Sequence, residues 1–130
     1  MGVMPSSTSS TRSRATPEEA DLAVRVVGSE INRGILRSLS RAARPEQGLL
    51  FGELVEAIGP ELPTGRATTT SLYRHLIELE DAGVVLGNLP REQRRGRSVQ
   101  YRIVASRLEE IYARSLAYAL GETARDDVAP

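Results

Sequence analysis

Thr68-Thr69-Thr70-Ser71-Leu72-Tyr73-Arg74-His75-Leu76-Ile77-Glu78-Leu79-Glu80-Asp81-Ala82-Gly83 is the stretch on which the reading of this 130-residue chain turns. It predicts a helix opened by Thr68 and closed by Gly83. At about 100° per residue, Leu72, Leu76 and Leu79 fall within roughly 60° of one another and must face a core. Opposite them lie Thr70, Arg74 and Ile77, flanked by Thr69, Ser71 and Tyr73. The first half of this outer face carries hydroxyls and a guanidinium and no acid; Glu78, Glu80 and Asp81 gather in the second half. A helix start offers free N–H groups to phosphate, Thr and Ser bond phosphates or bases, and Arg can pair bidentately with guanine. The pattern suits a helix laid in a DNA major groove, although any solvent-facing polar helix shares part of it.

The residues that follow add to this. Val84-Val85-Leu86 reads as a short strand, and Val99, Tyr101 and Ile103 alternate with Ser98, Gln100 and Arg102 as a half-buried strand does. A polar turn with Gly96 joins them, so a β-hairpin is expected. Arg91, Arg94, Arg95 and Arg97 occupy four of the eight positions from Pro90 to Arg97. Like charges crowded on a loop repel one another unless a counter-charge is met, and a DNA backbone or narrow minor groove supplies one. All four arginines are therefore expected to face duplex DNA.

Upstream, Gly59 to Ala67 holds two Gly and two Pro and reads as a loop. Before it, Leu50, Phe51, Leu54, Val55 and Ile58 form a helical face. Ile31, Ile35, Leu36 and Leu39 form another, capped by Ser29. Thr16-Pro17-Glu18-Glu19 is a helix start with a capping box, and the valine-rich run that ends at Gly28 fits a helix or a strand. Residues 1–15, rich in Ser and Thr, read as a disordered arm, 16–105 as one domain, and 122–130 as an acidic disordered tail. Ser106-Arg107-Leu108-Glu109 reads as a second capping box opening a helix over 106–121. That helix carries a band of Leu108, Ile111, Tyr112, Ser115, Leu116, Tyr118 and Ala119. A band of this kind beyond a complete domain suits pairing with a second copy.

Three helices, a hairpin and a further helix make the α+β winged helix-turn-helix order. Thr69 to Val85, with its Tyr-Arg-His-Leu centre and Leu-Glu-Asp-Ala-Gly-Val-Val end, resembles the recognition-helix region of the ArsR-like and PadR-like winged-helix repressors. Gly96-Arg97-Ser98-Val99-Gln100-Tyr101-Arg102-Ile103 is similar to their wing, with a Tyr anchoring the return strand, and Ile35-Leu36 with Leu39 to their first helix. The resemblance spans about Ser29 to Val104. It implies a homodimeric regulator of transcription, a repressor in the simplest case, bound to double-stranded DNA through Thr68, Thr69, Thr70, Ser71, Tyr73, Arg74, His75 and Ile77 and through the four wing arginines. The chain departs from those families in its longer Gly59 to Ala67 loop. It also lacks the ligands of their metal-sensing members, having one histidine, His75, and no cysteine.

Formal net charge is zero, but the distribution is uneven: from Arg66 to Arg107 there are eight Arg against four acids, and from Leu108 to Pro130 two against five. All 17 basic residues are Arg. Without cysteine there is neither a disulfide nor a thiolate metal site, and a lone His75 beside the leucine spine reads as a packing residue or a phosphate contact. No catalytic residues, metal or cofactor are expected, so an enzyme is not. No apolar run reaches membrane-spanning length, which leaves a cytoplasmic protein as the expectation. The rival expectation is a winged helix serving as an architectural or protein-interaction module in a phage, plasmid or recombination assembly.

Overall fold

The computed structural model describes residues 14–62 and 67–121. The expected arm, but for its last two residues, the expected acidic tail and the 63–66 part of the long loop lie outside the described residues. Among those described, the chain is α+β, with five α-helices and a three-stranded antiparallel sheet. The helices are α1 (Pro17–Val27), α2 (Glu30–Ser40), α3 (Phe51–Ile58), α4 (Thr69–Asp81) and α5 (Ala105–Ala119), and the strands are β1 (Leu49–Leu50), β2 (Val85–Gly87) and β3 (Gln100–Ile103).

Local chemistry sets the helix starts. Thr16 and Glu19 close the capping box of α1: the Thr16 N–H donates to Glu19 Oε1 at 2.8 Å and the Glu19 N–H to Thr16 Oγ1 at 3.2 Å. The valine-rich run is helical to Val27. Ser29 caps α2 by accepting the Asn32 N–H, and Thr68 caps α4 by accepting the Ser71 N–H at 3.0 Å. Such caps stabilise a helix by about 1 kcal/mol each.

The second expected capping box does not form. Helix α5 begins at Ala105, one residue ahead of Ser106, with no side-chain cap. Two long-range bonds take its place: the Val104 N–H donates to the Val84 carbonyl at 2.8 Å, and Arg107 Nε donates to the Ala82 carbonyl at 2.9 Å. Strand β1 was not expected either. Leu49 and Leu50 pair with Tyr101 and Gln100, which makes β3 the central strand in the order β1-β3-β2.

The core is aliphatic and runs through the centre of all five helices. Leu72, Leu76 and Leu79 of α4 are buried as the helical spacing requires, against Ile35 and Leu39 of α2, Leu54 of α3, and Val84 and Val85. The outer face of α4 is thereby turned to solvent. Helix α5 packs along α1, with Ile111 in the core and Arg114 Nε held 3.0 Å from Glu19 Oε2. The same carboxylate thus caps α1 and anchors α5.

Candidate nucleic-acid interface

Helix α4 and the loop 88–99 between β2 and β3 lie beside each other, and their side chains fall into two sets. On α4, Thr68, Thr69, Thr70, Tyr73 and Arg74 are exposed, whereas Ser71, His75 and Ile77 are half-buried. Tyr73 packs edge-on against Phe51 of α3, with ring centroids 5.9 Å apart at 79°. The Arg74 guanidinium has no partner among the described residues, and neither do those of Arg95 and Arg97 in the loop, which are exposed. These three cations are available to an anion.

Arg91 and Arg94 are not. The expectation that all four loop arginines stand free fails at these two, because carboxylates of α4 reach them first. Glu80 takes Arg94 bidentately, NH1 to Oε1 at 2.8 Å and NH2 to Oε2 at 2.6 Å, and both side chains are about nine-tenths buried. The third edge of the guanidinium is used as well: Arg94 Nε donates to the Leu89 carbonyl at 2.8 Å. Its Cζ lies over the Tyr101 ring, 5.6 Å from the ring centre. Glu80 Oε2 also accepts the Gly87 N–H at 3.1 Å. Arg91 reaches Asp81 Oδ1 at 2.9 Å and lies 3.6 Å from Glu80, in a more exposed setting.

Position 87 must be glycine for this arrangement, since a Cβ there would sit 2.5 Å from the Arg94 guanidinium and 3.0 Å from Glu80. The electrostatics agree with the geometry. The hydrogen bonds that Arg94 donates to Glu80 raise its pKa above its already high ordinary value, and that donated by Arg91 to Asp81 does the same for Arg91. Burial pushes the Tyr101 phenol up. Tyr101 is buried and anchors the return strand, as its spacing suggested.

His75 sits at an internal junction. Asn32, fully buried in α2, donates through Nδ2 to the Arg25 carbonyl at the end of α1. Its Oδ1 is therefore the atom 2.9 Å from His75 Nδ1, which must carry the proton and donate. Nδ1 of His75 is thus committed to holding α4 on α2 rather than to a ligand. Sequence reasoning missed Asn32, Glu80 and Asp81, and only the surplus of acid at the end of α4 hinted at the last two.

The surface is not uniformly basic. An open groove between the start of α3, Tyr73 and the hairpin is lined by Glu53 and Glu56 as well as by Arg97, Ser98 and Val99. Acidic side chains of α3 thus border the same groove as Arg97. No model of a known protein family matches the chain, and neither a curated protein nor a solved structure does. Among the described residues no helix is long and apolar enough to cross a membrane, and no cluster of three or more His, Asp or Glu could hold a metal ion.

On α5 the expected pairing band is divided. Ile111 is buried in this chain's own core, and Leu108 and Ser115 are half-buried, so these three are spent on packing within the subunit. Tyr112, Leu116 and Tyr118 are 48%, 57% and 45% exposed, and Ala119 is exposed too. Leu120 beyond them and Val24 on α1 add to the apolar surface left uncovered.

Proposed function

We propose that the chain is a winged helix-turn-helix regulator of transcription that binds double-stranded DNA, with α4 in the major groove and the β2–β3 hairpin as a wing on the flanking backbone or minor groove. The observation that carries this reading is the conjunction of Arg74 and the exposed hydroxyls of Thr69 and Thr70 with the unpaired Arg95 and Arg97 on the adjacent loop. Cations that could have been neutralised by this chain's carboxylates, as Arg91 and Arg94 are, remain open there. Arg74 and the hydroxyls are the candidates for base contacts, and Arg95 and Arg97 for phosphate contacts. The resemblance of the sequence to the ArsR-like and PadR-like repressors supports the same reading.

The exposed Tyr112, Leu116 and Tyr118 favour a homodimer through the outer side of α5, which would present two copies of α4 about one helical turn of DNA apart. The regulator is proposed to act in the cytoplasm, as a repressor that occludes a promoter.

Repeated selection of bound duplexes from a random-sequence pool tests the reading. The expected result is enrichment of one motif, repeated in inverted orientation. Recovery of no motif would contradict sequence-specific binding and favour an architectural role.

A further inference from the structure

Glu80 lies on the helix proposed to read DNA, yet its side chain is about nine-tenths buried. It is spent on the hairpin, bonding Arg94 through both oxygens and accepting the Gly87 N–H. Arg94 in turn holds the loop from inside, through the Leu89 carbonyl and over Tyr101. Two nitrogens of the guanidinium therefore fix the hairpin to α4 while Nε braces the loop itself, and position 87 lacks a side chain to make room. Arg95, the next residue, points into solvent, and Arg97 follows on the same loop after its N–H bonds the Arg94 carbonyl at 2.9 Å.

We infer that Glu80 is a positioning residue: acting through Arg94, it locks the hairpin to α4, so that Arg95 and Arg97 project at a fixed offset from Arg74 and the two DNA-contacting elements meet the duplex as one preorganised unit. The inference rests on the DNA-binding reading above. An ordered loop forfeits no conformational freedom at the moment of binding, which is the physical gain of such a lock. A buried bidentate pair supplies order of this kind because breaking it leaves an unpaired buried charge.

The test separates position from charge. Glu80→Gln removes a negative charge from the helix proposed to meet DNA, so electrostatics alone makes duplex binding tighter; loss of the lock makes it weaker. Arg94→Lys keeps the charge count but loses the planar fork, and serves as the second variant should Glu80→Gln fail to fold. The probe is a mixed-sequence duplex of about 30 base pairs, long enough for a dimer. Amide hydrogen exchange over 87–101 is read in parallel on the unbound protein.

Both variants are expected to exchange hairpin amides about tenfold faster or more, with core amides of α2 unchanged, and to bind the duplex several-fold more weakly at an unaltered salt slope. Glu80→Asp, which keeps a shorter carboxylate, falls between them and the parent. Unchanged hairpin exchange overturns the lock. Faster exchange with unchanged or tighter binding keeps the lock and overturns its part in DNA binding. A parent protein that does not bind the duplex at low salt overturns the DNA reading itself, while the exchange measurement still reports on the lock.

Discussion

Arg94 and Arg95 are adjacent in the chain, yet one is enclosed by Glu80, Leu89 and Tyr101 while the other has no partner among the described residues. The same division separates Arg91, held by Asp81, from Arg97. It extends to α4, whose second half supplies the carboxylates that bind the hairpin and whose first half supplies hydroxyls and Arg74. Charge count therefore says little about an arginine's role here. The two inward arginines fix the loop to α4, and the two outward ones are exposed with no partner among the described residues.

Arg94→Ala is the harshest test of this division. It strands the Glu80 carboxylate in a site about nine-tenths buried, and a loss of about 3–5 kcal/mol in folding stability is expected. Arg95→Ala and Arg97→Ala should each stay within about 0.5 kcal/mol of the parent in the same denaturant titration. Equal losses at all three would erase the distinction. On the α4 side, Arg74→Ala should leave stability intact but cost about 1–3 kcal/mol of binding to the selected duplex and relax its sequence preference. A uniform loss on all duplexes would make Arg74 a backbone contact.

Much of this surface was legible in sequence, and the reason is range. The spine of Leu72, Leu76 and Leu79, the Thr68 cap and the Thr16–Glu19 box depend on neighbours three or four residues apart, where helix geometry alone decides. The hairpin and the buried Tyr101 followed from alternation over a few residues. Strand β1 did not, because two residues have no period and Leu49–Leu50 exists as a strand only through pairing with β3, half a chain away. The Ser106 box lost to bonds from Val84 and Ala82 that arrive from outside the segment. The Glu80–Arg94 pair spans 14 residues across a turn, so it depends on how the hairpin folds back onto α4. For the same reason a crowd of arginines looked uniformly free when half of it was paired.

A further paired arginine, Arg114, extends the comparison to the α1–α5 seam. Its hydrogen bond, followed by that from the Thr16 backbone, holds the Glu19 carboxyl below its ordinary value of 4.5. A carboxyl whose folded-state pKa is lowered contributes stability that is complete above the unfolded value and lost as pH falls through the folded one. Acidification below about 4.5 should therefore loosen the seam, seen as faster amide exchange in α5, and Glu19→Gln should remove that pH dependence. A small effect is also expected at the exposed Arg91–Asp81 pair: Asp81→Asn should cost no more than about 1 kcal/mol in thermal unfolding.

In the proposed mode of binding, duplex DNA supplies the counter-charge that Arg95 and Arg97 lack among the described residues. The direct measurement is the salt dependence of duplex affinity for the parent and for the Arg95→Ala/Arg97→Ala variant. A steep decline with salt is expected in the parent, with a slope shallower by about one unit for each arginine removed. Identical slopes, or a parent affinity that does not change with salt, would contradict it.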